Sequence, residues 1–174
     1  IFVFVALLLG LGVKGNRGEP IYYQTEKDKS VGGPFESTNS TSRYALVESI
    51  VEDKTFFFNH ALAQFSASDI AYYNGKIFSI FTPGVSFAGI PFYLFGKALG
   101  LPQLFTYFST LVFAILNVYL ITRLGVKLGV NWYGSLIGGI AFLFATNAFA
   151  YAFSFTQHHI STALILLALL NAVS

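Results

Sequence analysis

The residues able to do chemistry in this sequence are few and fall into two groups. All 8 acids lie between Glu19 and Asp69. Among them Glu36, Glu48 and Asp69 are carboxylates that can take a proton from an attacking hydroxyl. Near them stand Arg43 and Lys76, whose guanidinium and ammonium groups bind phosphate well. The second group is the tetrad Thr156–His159, T-Q-H-H, which opens the apolar run Ile160–Val173. An ionisable side chain at membrane depth is by default a functional candidate. Each candidate also has a plainer reading. Asp69 suits a turn or cap ahead of Tyr72-Tyr73, and Glu48 a solvated position in mid-helix. Lys76 suits a snorkelling interfacial lysine, and His158 an interfacial histidine bound to water. Neighbouring residues on a helix face different ways, so His158 and His159 do not share a metal without further ligands.

The elements that must position these groups follow from hydropathy. Of 174 residues, 55% are hydrophobic, 18% aromatic and 10% charged, and mean hydropathy is +0.64. A soluble domain carries about 25% charged residues, so the chain belongs with membrane proteins. A net charge of +2 gives no case for a nucleic-acid partner. Without cysteine there are no disulfides and no thiolate metal sites. The chain has no methionine and stops inside an apolar run, which reads as a fragment truncated at both ends.

Ile1–Val13 is apolar throughout but shorter than the roughly 20 residues a span needs. It is the end of a first transmembrane helix or the core of a signal peptide; a signal peptide would need a basic start, which is missing. Leu101–Thr122 is uncharged, enters through Pro102 and is followed by Arg123 and Lys127. The positive-inside rule puts that basic turn in the cytoplasm. The segment 14–100 is then an extracytoplasmic loop, and spans follow at about 101–122, 132–154 and 159–174. Trp132 and Tyr133 mark an interface, and Gly134, Gly138 and Gly139 offer a small face for close packing, Gly134 and Gly138 as a GxxxG.

Within the loop, Gly15–Ser42 is expected to be irregular, and its Asn39-Ser40-Thr41 triplet is a formal glycosylation sequon. Ser42–Asp53 has Tyr44, Val47, Ile50 and Val51 on one helical face and Arg43, Glu48, Ser49 and Glu52 elsewhere. With Ser40–Ser42 as N-caps, this predicts a short amphipathic helix lying along the interface, or a surface helix on a small domain. Thr55–Asn59 is a strand or apolar connector. Asn74-Gly75 predicts a tight turn between two strands, and Thr82-Pro83-Gly84 the entry to a helix over 84–98 that Gly89, Pro91 and Gly96 interrupt. The fold class expected is all-α: a multi-pass transmembrane helical bundle with a large extracytoplasmic loop carrying interfacial helices.

The stretch Y-Y-N-G-K-I-F-S-I-F-T-P-G, followed by I-P-F-Y-L-F-G, resembles the first extracytoplasmic loop of GT-C glycosyltransferases. That group includes protein O-mannosyltransferases and aminoarabinose transferases. Many relatives carry Y-S-D-K-x-P-G there; Ser79, Pro83 and Gly84 match it, while Ile80 and Phe81 stand in place of its Asp and Lys. The resemblance covers about residues 38–174. It implies an inverting transferase in the plasma (inner) membrane that takes a sugar from a polyprenyl-phosphate carrier, among membrane lipids, to a glycan, lipid or protein acceptor. Arg43-Tyr44 matches an R/H-Y pair of relatives, but Ser40 and Thr41 stand where their acids lie. Asp69 is then the replacement base, with Glu36 and Glu48 in reserve. Arg43, Tyr44, Lys76 and His158 become the substrate and phosphate ligands, and Gln157-His158 matches a further position in relatives. Some members use a divalent cation; nothing in this sequence supports one. By the topology above, the loop 14–100 and the turn Thr156–His159 share a membrane face. Two alternatives remain: a non-catalytic GT-C-like protein, and a transporter or flippase of lipid-linked saccharides.

The topology makes a direct prediction, since the chain has no native cysteine. A single cysteine at Asn74 should react with an impermeant maleimide from outside intact cells, and one at Gly129 should not. Reversed labelling would invert the whole arrangement.

Overall fold

The computed structural model describes residues 2–11 and 38–173; Glu36 and most of the segment expected to be irregular lie outside these. The described chain is mainly helical. In order it forms α1 (Phe2–Leu11), α2 (Thr38–Glu48), a π-helical turn (Ser49–Asp53) and α3 (His60–Phe65). A hairpin of β1 (Ile70–Tyr73) and β2 (Lys76–Ser79) follows, then α4 (Gly84–Ala98), α5 (Pro102–Lys127), α6 (Trp132–Phe144), α7 (Ala148–Ala152) and α8 (His158–Ala172). Two compact units result. One combines α1, α5 from Thr110 onward, α6, α7 and α8; the other holds α2 to α4, the start of α5 and Ser154–Thr156.

In the second unit the hairpin forms as the Asn-Gly dipeptide predicts. Asn74 and Gly75 have φ of +50° and +76°, the doubly left-handed turn whose twist matches that of the strands. The strands pair antiparallel, with Tyr73 opposite Lys76 and Ile70 opposite Ser79. Ile70 and Ile77 close a core of Ala45, Leu46, Phe58, Leu62 and Ala63. The segment Thr55–Asn59 is a connector and not a strand, and it gives one bond to the hairpin, Phe58 N–H to Ile77 O at 2.7 Å.

α2 departs from the sequence expectation. It starts at Thr38, so Ser40, Thr41 and Ser42 are interior residues and not N-caps. Every residue from Ser40 to Val47 is buried, Arg43 included, so this is a central helix and not an amphipathic one lying on a surface. α4, α3 and β2 all pack on it. Polar residues are tolerated there because other elements supply partners. Ser40 Oγ accepts from Phe155 N–H at 3.1 Å, which places the sequon's serine in the core. Ser86 Oγ of α4 donates to Arg43 O at 2.9 Å. α4 itself runs unbroken past Pro91. Its glycines are approach points and not breaks: a Cβ on Gly89 would lie 2.8 Å from Phe155 Cζ, and one on Gly96 2.6 Å from Leu101 O.

In the first unit, α5 has 26 residues, about 39 Å at 1.5 Å per residue. Among the described residues it is the one helix long and apolar enough to cross a membrane; α1, α6 and α8 are apolar and shorter. The expected span over 132–154 is two helices. Thr146 causes the division, its hydroxyl donating to Phe142 O at 2.6 Å and accepting from Ala148 N–H at 3.1 Å. The expected GxxxG face also shifts. Gly138 has nothing within 4 Å of a built Cβ, whereas a Cβ on Gly139 would stand 2.7 Å from Val118 O of α5. Gly125 of α5 in turn faces Ser135 of α6, with 2.6 Å to its Oγ. The close contact thus runs through Ser135 and Gly139.

Asn74 and Gly129 both have positive φ, so the labelling cysteines sit with less strain at the neighbouring exposed Tyr73 and Leu128. The helix contact predicts that Gly139→Ala destabilises the protein by about 1–3 kcal/mol, the usual cost of overpacking against backbone. Gly138→Ala should stay within about 0.5 kcal/mol. Thermal unfolding of both variants in detergent checks this, and equal effects would restore the Gly134/Gly138 face.

Candidate functional site

Two groups of chemistry-bearing residues emerge, one in each unit. In the second unit α2 brings Arg43 and Ser42 onto the root of the hairpin. Ser42 Oγ donates to Asp69 O at 2.8 Å. Its only hydrogen is thereby used, so Ser79 must be the donor in the 2.8 Å contact between the two serine hydroxyls. Ser79 Oγ then accepts from Phe81 N–H at 3.2 Å. This ordered chain ties the main chain of Asp69 and of Phe81 to α2 through Ser42 and Ser79.

Arg43 is only 5% exposed. Its Nη1 donates to Asn39 O at 2.8 Å, and the ring of Phe81 lies 3.9 Å from its Cζ. Burial lowers the pKa of the guanidinium, and the charge of Asp69 offsets part of that fall. Asp69 is half-buried and follows Ser68, whose φ of +85° is a strained value for a residue with a side chain. Its main chain makes the turn that the plainer reading expects, with its N–H on Ser66 O.

The other expected site residues of this unit do not join them. Tyr44 is fully buried, with ring centroids 6.0 Å from both Phe65 and Tyr93, so it packs the core and does not present itself to a ligand. Glu48 is half-buried. With Glu52 it helps to raise the pKa of Tyr93, after burial, the largest cause. Lys76 is exposed, its ammonium 4.1 Å from the ring of Phe57. Sequence reasoning passed over Glu52, which accepts from Tyr93 Oη at 2.9 Å and from Lys97 Nζ at 2.6 Å. The hydrogen bond from Lys97 holds its carboxyl below the usual range.

In the first unit, the α6–α7 break and the start of α8 form an open pocket of about 330 Å³. His158 and His159 both line it, with different roles. His158 is exposed and stacks on Tyr151, centroids 3.8 Å apart. His159 is 2% exposed, and its contacts fix the ring. Nε2 faces Ala148 O at 2.8 Å, so it carries the hydrogen; Nδ1 faces the amide nitrogen of Asn117 at 3.1 Å and must accept. Asn117 Nδ2 gives its second hydrogen to His159 O at 3.0 Å. That also fixes the amide, since a flipped one would set oxygen against both acceptors.

Asn117 and Tyr151 were not legible as site residues, because asparagine in a span and tyrosine among aromatics carry no motif. The sequence places Thr156–His159 at the outer end of the spans. The structure packs His159 against Asn117, roughly four turns into α5. Thr110 Oγ1, nearer the start of α5, donates to Ala152 O at 3.2 Å. Among the described residues no three His, Asp or Glu side chains converge as metal ligands. No protein-family model matches the chain, and neither a curated protein nor a solved structure matches it significantly.

The Glu52–Lys97 pair predicts a pH effect. A carboxyl held below its unfolded value stabilises the fold above about pH 4.3, and that contribution disappears as pH falls through its lower folded value. Both partners are partly exposed, 34% for Glu52 and 53% for Lys97, so the contribution is screened to about 0.2–1 kcal/mol. Glu52→Gln should flatten the acid limb of a stability–pH profile by that amount; an unchanged limb would show that the pair contributes nothing.

Proposed function

We propose that the chain is part of a multi-pass membrane glycosyltransferase of GT-C type, moving a sugar from a polyprenyl-phosphate carrier to an acceptor hydroxyl at the extracytoplasmic face. The observation that carries this reading is that Ser42, next to Arg43 in α2, holds the main chain of Asp69 at the hairpin root, near enough for the acid's charge to act on the guanidinium, within the stretch that carries the motif resemblance. Residue 81 is phenylalanine where relatives have lysine, and its ring rests on Arg43. Arg43 thus supplies positive charge at the point where the motif lysine would bring it. The apolar α5 and the shorter apolar helices agree with a bundle in the bilayer.

In this mechanism the Asp69 carboxylate takes the proton of the acceptor hydroxyl. The acceptor oxygen forms a bond to the anomeric carbon as the bond from that carbon to the phosphate oxygen breaks. The polyprenyl phosphate leaves with the electron pair, inverting the sugar. A transport reading has one observation in its favour, the buried Asn117–His159 pair midway along α5.

The test is release of polyprenyl phosphate from lipid-linked sugars by the protein in proteoliposomes. Release should fall about 100-fold or more in Asp69→Asn, the usual range for losing a general base. Undiminished release in that variant would move the base to Glu48 or Glu36. Passage of the intact lipid-linked sugar between leaflets without any release would establish transport in its place.

A further inference from the structure

We propose that Arg123 and Tyr119, near the end of α5, hold the phosphate of an anionic phospholipid. The charge balance of the first unit carries the argument. It contains no Asp or Glu, and its only Lys or Arg are Arg123 and Lys127. Lys127 turns to the neighbouring helix, where its ammonium donates to Leu170 O of α8 at 3.0 Å and meets the negative end of that helix. Arg123 has no such anchor. Among the described residues its polar contacts are with Tyr119 alone. Nη1 donates to the phenol oxygen at 3.2 Å, and Cζ lies 5.9 Å from the ring centroid.

The direction of that contact sets the depth of the charge. Arg123 stands about 32 Å along α5 from Pro102, where a hydrocarbon core about 30 Å thick comes to its edge. An arginine at such an edge ordinarily extends its head outward to water. Here the guanidinium turns back by one helical turn to Tyr119, toward the middle of α5. A charge held there without an anion is costly, and the unit supplies none. A lipid phosphate lies at this level of the bilayer and supplies one.

The donors fit that group. A guanidinium carries its N–H donors in a planar fork that matches two oxygens of a phosphate, and Tyr119 takes only one of them. The phenol accepts from Arg123, so its own hydrogen is left to give to a phosphate oxygen. Both side chains are exposed, and the ring of Phe2 braces Tyr119 edge to face, centroids 6.2 Å apart. Trp132 and Tyr133, exposed at the start of α6, stand at the same end of the bundle, where Gly125 meets Ser135; aromatics of this kind mark a headgroup layer. A zwitterionic headgroup would bring a further cation beside Arg123 and Lys127. An anionic one does not.

The inference rests on the membrane reading of α5 and takes nothing from the transferase chemistry. Trp132 is the chain's only tryptophan, so its fluorescence reports the lipid at this end. The chain is reconstituted in phosphatidylcholine nanodiscs, and part of the lipid is replaced by brominated phosphatidylglycerol or, separately, by brominated phosphatidylcholine. Quenching should show phosphatidylglycerol preferred about fivefold, the factor that one basic residue contributes near an anionic surface. Arg123→Gln should bring the two lipids to equality, and Tyr119→Phe should lower the preference. Lys54→Gln, in the other unit, should leave it unchanged. Equal quenching in the unaltered protein, or a preference that survives Arg123→Gln, overturns the site and leaves the membrane reading in place. A preference abolished by excess inorganic phosphate would assign the fork to a soluble anion and overturn the lipid. No quenching by either lipid overturns the membrane reading and the site with it.

Discussion

A hydroxyl buried in apolar surroundings must find a partner, because leaving it unpaired costs about 1–3 kcal/mol. In a chain with so few charges, that requirement does what ion pairs do elsewhere. Ser42 is the clearest case. Its single hydrogen goes to Asp69 O, so Ser79 must donate to it, so Ser79 can accept from Phe81. One helix residue thereby sets the positions of both ends of the hairpin. Ser40 and Ser86 tie α2 to Phe155 and to α4 by the same means. Removing any of these hydroxyls would strand its partner, which is why a helix composed largely of Ser, Thr and Asn can sit at the centre of its unit.

The other unit pairs an amide with an imidazole, satisfying the amide nitrogen while Asn117 Oδ1 stays buried without a partner. Asn117 has two hydrogens and meets two acceptors on one residue, the ring nitrogen and the carbonyl of His159. Neither the amide nor the ring can turn without placing like against like, so the start of α8 is fixed. Small residues make the rest of the contact, Gly139 against Val118 O and Gly125 against Ser135. Where side chains are small, backbones approach closely and dispersion holds the helices.

These constraints also separate two kinds of chemistry. The hairpin root concentrates charge, a buried guanidinium kept in place by a ring and a carbonyl, with the charge of Asp69 near enough to act on it. The pocket of the first unit has no Asp, Glu, Lys or Arg on its wall, which is mainly apolar with a few hydroxyls, an amide and two imidazoles.

Local rules determined what depended on few residues in a row. Asn74-Gly75 specified the hairpin because only a doubly left-handed turn closes two strands with their native twist. Pro83 and Pro102 specified helix entries, and the uncharged run before Arg123 specified the long α5. The candidate residues Asp69, Arg43 and His158 were likewise visible, since ionisable groups are rare here. Tertiary structure alone decided which faces were covered. Periodicity gave α2 an outer face, but three elements pack around it, and no pattern within 16 residues could report partners from Ser79, Ser86 and Phe155. The same limit hid the roles of Asn117, of Tyr151 and of Gly139 over Gly138, and the burial of Tyr44. Each was set by contact with a segment distant in sequence, and hydrogen-bond completion and close packing are properties of the pair, not of either partner alone.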